Sequence, residues 1–576
     1  MQTYARKIVV PTFISACALA QLLHTSLGFA AEPDPLRVVE KKGVVAADTP
    51  DASSAGAEIL RQGGNAVDAA IATALALGVV SPAGSGLGGG GFAVVWSVKE
   101  HKAQVIDFRE VAPKAATRDM FASDPKRSIV GGLAVAVPGE PAGLAALHDR
   151  LGKLPLSKVV APAMRLAKSG FFPTHRLAAV SARVDVPAGE PMGRWLKPGG
   201  KAMNESQRVL RPELAATLGR LGRMGRDAFY KGDVAADLVS TVRSHGGVLT
   251  LEDLASYVPV WREPLVGQYH GRQLYAAPPP AGGTTALEAL HFLDALPPLP
   301  KGSLGSSVYF HRIAEALSHA FADRARWMGD PAFFTDGEVP MATLATPAYG
   351  KALAARFRED SVQAIDTYGT PAKKGSAVEP PRDHGTSHLC VMDGEGNVVA
   401  MTTTVNLELG AQLEAPKSGV LLNDQMDDFA ARPGRPNGFG LVGAEANSIA
   451  PGKKPLSSMT PMIVVENGNA IMCVGGSGGP TIVASSIQAI VAVLDEEANA
   501  ETAVATPRVY AQWRPELLAI ERDIPNDVAD GLQKRGHKLR RLGNEPFAPA
   551  IQVILHRNGE LEAASDPRKG GAPAAP

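Results

Sequence analysis

The sequence predicts an α+β protein in which a long helical region lies between two groups of strands. Residues 135–360 carry mostly helical patterns of apolar residues, interrupted by loops rich in proline and glycine. Two pairs of β-rich runs flank this region, residues 92–98 with 104–108 and residues 386–393 with 397–405. The members of each pair are separated by a short polar segment, which is typical of a β-hairpin.

Other elements follow from the same periodicities. The Ala-rich residues 63–78 predict a buried helix, with a glycine pair at its start and Gly78 at its end. The remaining predicted elements are helices at residues 155–168, 308–327 and about 481–494, and strands at residues 461–465 and 470–474.

Composition limits the class of protein. The chain has 576 residues, 45% of them hydrophobic, which suffices for a large core and suggests two or more domain-sized units. Lys plus Arg and Asp plus Glu both number 58, and no long basic stripe is present, which argues against nucleic acid as the main partner. No internal apolar run reaches about 18 residues, which argues against a membrane-spanning body.

The histidines and cysteines indicate neither a metal site nor a disulfide framework. The 13 histidines form no His-Glu-x-x-His motif, and no Cys-x-x-Cys pair is present, so we expect no metal and no cofactor. Cys390 and Cys473 lie in apolar, strand-like runs and are expected to be buried thiols.

The first 30 residues have the pattern of a secretory signal peptide. Two basic residues precede an apolar stretch, residues 8–23, and small residues follow before the chain becomes polar. We therefore expect cleavage near Ala30 and a periplasmic or secreted protein. The alternative is a lipoprotein box that ends at Cys17, which would make this cysteine a lipidated first residue.

The composition changes sharply before Thr386. Residues 361–385 are rich in proline, glycine and charged residues, which indicates an exposed, flexible linker. Thr386 then opens a predicted buried strand. This junction combines the exposure that a cleavage site needs with the order that an active site needs.

Two glycine-rich patterns are candidates for chemistry. Residues 84–89 fit a dinucleotide-binding fingerprint, but that motif needs a strand before it and a helix after it, and here the order is reversed. We therefore expect close backbone packing there.

Residues 475–479 fit the Gly-x-Ser-x-Gly elbow of serine hydrolases, with Ser477 as nucleophile. Alternatively, the N–H groups of Gly478 and Gly479, at a helix N-terminus, would bind an oxyanion.

The sequence around Thr386 resembles the processing site of the gamma-glutamyltranspeptidases, also called glutathione hydrolases. Residues 385–389, Gly-Thr-Ser-His-Leu, carry this resemblance, and further blocks agree with it along nearly the whole chain after the signal peptide. These blocks are residues 63–70, 88–92, 107–110, 137–143, 321–324, 423–429, 455–459 and 564–568. So many blocks in one order are far more specific than a single glycine pattern.

The resemblance implies an N-terminal-nucleophile hydrolase fold, a four-layer αββα sandwich. It also implies that a precursor cleaves itself between Gly385 and Thr386 into a large subunit, residues 31–385, and a small subunit, residues 386–576, which stay together as a heterodimer. Thr386 would then be the N-terminal nucleophile. A threonine hydroxyl needs a base, and the new α-amine, with an ordinary pKa of about 7.7–8.0, suits that role near neutral pH.

The resemblance also assigns substrate contacts. Arg109 would bind the α-carboxylate of the substrate, since a guanidinium fits a carboxylate bidentately, and Asp428 would pair with the substrate ammonium group. The neighbouring polar side chains would be Ser457 and Ser458 at the carboxylate and Asn406 and Gln425 at the ammonium group. Thr404 would hydrogen-bond the hydroxyl of Thr386. Together these groups match the zwitterionic head of a glutamyl substrate.

We therefore expect a γ-glutamyl hydrolase and transferase that acts on glutathione through a γ-glutamyl ester of Thr386. The acceptor would be water, an amino acid or a dipeptide. The alternative with the same fold is a cephalosporin or glutaryl acylase, but a glutaryl group has no α-amine, so Asp428 and Gln425 favour glutamyl. Alternatives of another class are a serine esterase using Ser477 and a binding or stress protein without catalysis.

Residues 433–443 resemble a lid loop present in some members of the family. Bacterial relatives often carry a tyrosine where this chain has Phe439, which lacks the hydroxyl that would latch the lid by a hydrogen bond. We therefore predict a looser lid that admits water, and more hydrolysis than transpeptidation. Turnover of a γ-glutamyl anilide with and without glycylglycine measures this ratio. Transfer that equals or exceeds hydrolysis would contradict the prediction.

Overall fold

The computed structural model describes residues 36–187, 189–334, 340–370, 385–543 and 549–576. The predicted signal peptide, residues 1–30 with Cys17, lies outside the described residues, as does most of the predicted linker, residues 371–384. From Leu36 onward the chain forms one compact unit.

The strands are numbered along the chain. They are β1 (Arg37–Glu40), β2 (Gly43–Ala47), β3 (Gly90–Ser97), β4 (Lys102–Asp107), β5 (Val260–Arg262), β6 (Leu265–Tyr269), β7 (Arg272–Ala276), β8 (Ser387–Asp393), β9 (Val398–Thr404), β10 (Met462–Glu466), β11 (Asn469–Ser477), β12 (Val509–Tyr510), β13 (Leu518–Ile520), β14 (Leu539–Arg541), β15 (Ala550–Arg557), β16 (Glu560–Ser565) and β17 (Ala572–Ala574).

The α-helices are numbered in the same way. They are α1 (Pro50–Arg61), α2 (Ala66–Val80), α3 (Glu140–Leu151), α4 (Leu156–Ser169), α5 (His175–Arg183), α6 (Pro191–Leu196), α7 (Pro212–Met224), α8 (Asp227–Tyr230), α9 (Gly232–Ser244), α10 (Leu251–Ser256), α11 (Gly283–Asp294), α12 (Ser307–Trp327), α13 (Met341–Leu344), α14 (Pro347–Ala354), α15 (Thr481–Glu496), α16 (Ala500–Ala505) and α17 (Asn526–Lys534). Among the described helices, none combines the length and the apolar character that crossing a bilayer requires.

Two seven-stranded antiparallel sheets form the centre of the fold. The threonine sheet, named for the strand that follows Thr386, has the order β17-β2-β8-β9-β3-β4-β5. The glycine sheet, named for the glycine-rich end of β11, has the order β1-β16-β15-β11-β10-β7-β6. A small third sheet, β12-β13-β14, contains the parallel pair β13 and β14.

The two large sheets pack face to face, and helices cover their outer faces. Buried apolar side chains fill the space between the sheets, among them Phe92 and Cys390 on one side and Ile463, Cys473 and Ile554 on the other. Helices α1 and α2 pack on the threonine sheet, and α11 and α15 pack on the glycine sheet. Because both sheets are covered on both faces, β8 and β9 are buried along their whole length. Both thiols are free and buried, as predicted.

Most predicted elements are confirmed, but two of them extend beyond their predicted ends, and three strands fall in a region predicted as mostly helical. The helix predicted to end at Gly78 continues to Val80. Gly78 is a packing position and not a helix end, since a Cβ atom there would lie 2.8 Å from Cα of Gly86. The strand predicted at residues 470–474 continues to Ser477, since its last three residues pair with β15. The region predicted as mostly helical also contains β5 and β6, which lie at sheet edges, and β7, which pairs with β6 and β10.

The glycine run before β3 allows close backbone packing, as the sequence predicted. A Cβ atom at Gly88 would lie 1.8 Å from the carbonyl oxygen of Leu421, and one at Gly89 would lie 1.9 Å from that of Thr404. No side chain fits at these distances. The glycines therefore let a loop press directly on the end of β9.

Helix α2 supports β8 and β9 from behind. Asn65 caps the helix by accepting from the backbone N–H of Asp68, and the Asp68 carboxylate accepts from the N–H of Asn65 in return. Nearly all residues of α2 are buried, so the helix is apolar around its whole circumference, as expected between a sheet and other helices. It packs against both β8 and β9.

Two buried carboxyl groups, those of Glu110 and Glu140, lie near the glycine run. The backbone N–H of Glu140 donates to the carbonyl of Gly89 at 2.9 Å. Burial raises the pKa of Glu110 to about 7. Burial and, to a smaller extent, the neighbouring Glu110 raise the pKa of Glu140 to about 8. Glu140 is therefore mostly protonated in the folded protein at neutral pH.

We predict that Glu140→Gln flattens the dependence of stability on pH. The folded protein keeps the Glu140 proton up to about pH 8. The unfolded chain loses it near the ordinary value of about 4.3, so the free energy of unfolding falls as pH rises between these values, by up to about 1.4 kcal/mol per pH unit. The glutamine variant lacks this proton. Urea unfolding midpoints across this pH range measure the slope.

The matched control is Glu501→Gln, because Glu501 is exposed on α16. This variant should keep the slope of the wild-type protein. Equal slopes for wild type and Glu140→Gln would contradict a protonated Glu140 in the folded chain.

Candidate active site

One small cavity is lined by nine of the ten residues that the sequence predicted for the site. Its volume is about 20 Å³, roughly the space that one water molecule occupies. The predicted residues on its wall are Arg109, Thr386, Thr404, Asn406, Gln425, Asp428, Ser457, Ser458 and Gly479. Four less polar residues complete the wall, namely Phe439, Met459, Pro480 and Ile482. Gly478, the tenth predicted residue, adjoins Gly479 but does not line the cavity.

Thr386 lies at the beginning of β8 and is almost completely buried. Its hydroxyl donates a hydrogen bond to the carbonyl oxygen of Gly385, and its Oγ1 lies 3.1 Å from Oγ1 of Thr404. The backbone N–H of Asn406 donates to the Thr404 hydroxyl at 2.8 Å. The two threonines are neighbours because Ser387 pairs with Thr403 across the hairpin. The backbone of β8 and β9 therefore positions both hydroxyls.

Gly385 fits its place only without a side chain. A Cβ atom there would lie 2.2 Å from the carbonyl oxygen of Ala83 and 2.9 Å from that of Leu407. The loops on either side therefore hold the peptide bond between Gly385 and Thr386 closely. This confinement keeps the Gly385 carbonyl beside the Thr386 hydroxyl.

Gly478 and Gly479 form a turn between β11 and α15. Their φ angles are +128° and +60°, a backbone conformation that favours glycine. The Thr481 hydroxyl donates to the carbonyl of Gly478 at 2.7 Å, and the N–H of Ile482 donates to that of Gly479 at 3.1 Å. Both carbonyls are thus engaged within the turn. Backbone N–H groups at the start of a helix are suited to binding a developing negative charge.

Arg109 and Asp428 form a buried ion pair on the wall of the cavity. Nη2 of Arg109 donates to Oδ2 of Asp428, and Nε2 of Gln425 donates to the same oxygen at 2.7 Å. Burial raises the pKa of Asp428, and the nearby Arg109 partly offsets this rise. A cationic and an anionic group thus stand side by side, which is the pattern that a zwitterion requires from its binding site.

The guanidinium of Arg109 also supports the serine segment. Its Nε and Nη2 donate to the carbonyls of Pro455 and Leu456 at 3.1 and 3.3 Å. The Ser457 hydroxyl accepts from the backbone N–H of Met459 at 3.0 Å, so it stabilises a local turn as well as facing the cavity.

Arg324 is a second guanidinium near the cavity, and it was not among the predicted site residues. Its Nη2 donates to Oγ of Ser458 at 3.1 Å. Burial lowers the pKa of Arg324 to about 10, so it stays a cation at neutral pH. The signal was present in the sequence, since residues 321–324 are one of the blocks that resemble the family. Its distance along the chain from Ser458 concealed the contact.

The predicted lid, residues 433–443, covers the cavity with Phe439. A Cβ atom at Gly479 would lie 2.6 Å from Cε1 of Phe439, so the phenyl ring packs directly on the glycine turn. The backbone N–H of Gly438 donates to Oδ2 of Asp427 at 2.7 Å, and Nε2 of Gln512 donates to the carbonyl of Gly440 at 3.1 Å. These bonds fasten the lid in ways that do not need a tyrosine hydroxyl, and the predicted excess of hydrolysis stays a prediction.

Ser477 is placed unlike a hydrolase nucleophile. It is fully buried, does not line the cavity, and donates its hydroxyl to Oδ2 of Asp48 at 2.7 Å. Within the part of the chain that the structure describes, no histidine contacts its hydroxyl. His537, a histidine that follows Ser477 in the chain, lies elsewhere, with its Nε2 2.8 Å from Nδ1 of His311. The esterase interpretation therefore lacks the histidine that the triad of a Gly-x-Ser-x-Gly hydrolase requires.

A group of His311, Glu315 and His537 has donor atoms close enough to share a cation. Hydrogen bonds account for this arrangement, since Nε2 of His311 also lies 2.8 Å from the carbonyl of Arg358. Burial lowers the pKa of both imidazoles, that of His537 to about 3, so they are neutral at pH 7. The group lies outside the cavity that Thr386 lines.

Comparison with known proteins agrees with this geometry. The profile of the gamma-glutamyltranspeptidase family matches residues 52–575. The glutathione hydrolase proenzyme of Escherichia coli is 36% identical over 584 residues, covering 97% of this chain and 98% of that protein. The glutathione hydrolase proenzyme of Pseudomonas aeruginosa is 38% identical over 545 residues, covering 92% and 94% respectively.

Solved structures are also similar to this chain. The crystal structure of a cephalosporin acylase from Bacillus halodurans superposes with a TM-score of 0.82 at 27% identity, over 96% of this chain and 99% of that one. The gamma-glutamyltranspeptidase of Helicobacter pylori matches with a TM-score of 0.52 at 34% identity, over 57% of this chain and 96% of that one. By the family profile and the identity to its relatives over nearly all of its length, this chain belongs to the gamma-glutamyltranspeptidase family.

Proposed function

We propose that the protein is a γ-glutamyl hydrolase and transferase that cleaves the γ-glutamyl amide bond of glutathione and related compounds. The observation that carries this proposal is the cavity that joins the Thr386 hydroxyl, the Arg109–Asp428 pair and Gly479. Relatives with 36% and 38% identity are named glutathione hydrolase proenzymes, which supports the same substrate class.

We propose that the chain matures by cleaving itself before Thr386. Oγ1 of Thr386 would attack the carbonyl carbon of Gly385, forming an ester as the Gly385–Thr386 amide bond breaks and the Thr386 nitrogen takes a proton. Water would then hydrolyse the ester and free the carboxylate of Gly385. The hydrogen bond between this hydroxyl and this carbonyl supports the step. The products would be a large subunit, residues 31–385, and a small subunit, residues 386–576, paired as a heterodimer with an N-terminal-nucleophile hydrolase fold, an αββα sandwich.

In the mature enzyme the free α-amine of Thr386 would serve as the base. It would take the hydroxyl proton while Oγ1 attacks the γ-carbonyl carbon of the substrate, and the N–H groups of Gly478 and Gly479 would stabilise the oxyanion. The leaving amine would take the proton and depart, which leaves a γ-glutamyl ester on Thr386. Water, an amino acid or a dipeptide would then accept the glutamyl group. The Thr404 hydroxyl would hold the nucleophile in place.

The charged pair favours a glutamyl over a glutaryl substrate. The cephalosporin acylase of similar structure makes an acylase the closest alternative. A glutaryl group has no ammonium group, and it would leave the carboxylate of Asp428 without a substrate cation. With a glutamyl head, Asp428 would bind the ammonium group and Arg109 would turn to the α-carboxylate, with Ser457 and Ser458 beside it. Asn406 and Gln425 would add neutral hydrogen-bonding partners.

We propose export to the periplasm or the medium, on the strength of the signal pattern in residues 1–30. Glutathione and acceptor peptides are small and polar, so an exported enzyme would meet them in solution.

The decisive variants are Thr386→Ala and Ser477→Ala. Without the Thr386 hydroxyl neither the ester for maturation nor the ester for turnover can form, so the alanine variant should stay one band on a denaturing gel and hydrolyse no γ-glutamyl anilide. The Ser477→Ala variant should still split, and the smaller fragment should begin at Thr386. Splitting by Thr386→Ala, or a correctly folded Ser477→Ala chain that stays whole, would refute the proposal.

A further inference from the structure

A buried polar network lies beneath the glycine turn. The Ser477 hydroxyl, directly before the turn, donates to Oδ2 of Asp48 at 2.7 Å and accepts from Nζ of Lys569 at 3.0 Å. Nε2 of Gln552 donates to the other Asp48 oxygen, Oδ1, at 2.6 Å. All four side chains are buried. We call this group the Asp48 network; none of its members lines the cavity.

The Asp48 network joins the two large sheets. Asp48 follows β2 in the threonine sheet, where Ala47 lies opposite Leu389 of β8, so Asp48 is next to the beginning of the strand that Thr386 precedes. Ser477 ends β11 in the glycine sheet, opposite Ala550 of β15. The hydrogen bond from Ser477 to Asp48 therefore spans from one sheet to the other, close to the strand ends beside which Thr386 and Gly479 line the cavity.

Other contacts of the turn act over a shorter range. The bonds from Thr481 to Gly478 and from Ile482 to Gly479 lie within the turn and the first residues of α15. They maintain the shape of the turn but do not set its distance from Thr386. A bond between the sheets acts across that distance.

Simple packing does not require such a network. Taking a carboxylate and an ammonium group out of water costs free energy, and apolar residues of similar volume often stabilise a core equally well or better. What hydrogen-bonded polar groups add is directional geometry. The position of this network, between the nucleophile strand and the glycine turn, indicates where that geometry is used.

We propose that the Asp48 network is a positioning device that fixes the distance between the Thr386 hydroxyl and the N–H groups of Gly478 and Gly479. The inference rests on the proposed function, because those N–H groups matter for catalysis only if an oxyanion forms beside them. Oxyanion donors work at about 2.7–3.1 Å, and losing one costs about 10²–10³-fold in kcat. A displaced turn should therefore slow catalysis while leaving binding by Arg109 and Asp428 intact.

The test compares Ser477→Thr with Ser477→Val. Threonine and valine have nearly the same shape. Both add a methyl group to the buried site, and valine also replaces the hydroxyl by a second methyl group. Kinetics with a γ-glutamyl anilide are expressed per cleaved chain, with the cleaved fraction read from a denaturing gel. We expect the valine variant to have a kcat at least about 10-fold below that of the threonine variant, a partial loss of the oxyanion effect. KM should agree between the two within about threefold, since uniform binding is retained.

A second pair keeps the test independent of how residue 477 packs. Lys569→Met removes the ammonium group and keeps most of the side-chain length, and Lys569→Arg keeps the charge. We expect the same pattern here: the methionine variant should have a lower kcat than the arginine variant and an unchanged KM. If Ser477→Val fails to fold or to cleave, this pair decides in the same terms.

Three results would overturn the inference. The first is an equal kcat for the two variants of the deciding pair. The second is a difference in rate between them that disappears once rates are expressed per cleaved chain. The third is a change confined to KM. A wild-type protein without any γ-glutamyl anilide turnover would instead refute the proposed function, and the positioning role with it.

Discussion

The contact between the hydroxyls of Thr386 and Thr404 is the constraint on which the rest of the site depends. It exists because β8 and β9 form an antiparallel hairpin in register, with Ser387 opposite Thr403. Glycines on both sides let loops press against this hairpin: Gly89 meets the carbonyl of Thr404, and Gly385 meets that of Ala83. A core on each face of the threonine sheet then holds the two strands still. The Thr386 hydroxyl is thus positioned by backbone pairing rather than by a flexible side chain.

The second requirement is a pair of oppositely charged side chains in a buried position. Arg109 and Asp428 are both withdrawn from water, which is costly unless each has partners. Gln425 and two backbone carbonyls supply some of these partners. A bound zwitterion would replace the internal pair by two pairs of the same kind, so the arrangement is suited to a glutamyl head group.

Much of the fold and the site could be predicted from the sequence. The two strands of the hairpin at residues 386–405 and the turn between them are clear in the sequence. The site residues lie in short blocks whose residue types resemble those of one family. The limits are equally physical. Strands β5, β6 and β7, at or next to sheet edges, are short, and their weak patterns do not distinguish them from the helical segments around them. The contacts of Arg324 with Ser458 and of Ser477 with Asp48 join residues far apart in the chain, and local periodicity carries no information about such pairs.

Phe439 shows how the structure changes a conclusion drawn from one residue. The missing hydroxyl suggested a loose lid, yet the lid is bonded through Asp427 and Gln512. Its phenyl ring also packs on Gly479, the residue proposed to stabilise the oxyanion. The bonds that hold this lid thus come from its backbone and from Asp427 and Gln512.

The most direct measurement is to trap the covalent intermediate. Purified protein that is mixed with a γ-glutamyl anilide, quenched in acid within its turnover time, digested and analysed by mass spectrometry should carry one γ-glutamyl group. We predict that the added mass lies on the peptide that begins at Thr386, and that fragmentation assigns it to that residue. A γ-glutamyl adduct on Ser477 or on any other residue, with Thr386 unmodified, would contradict the central role of Thr386.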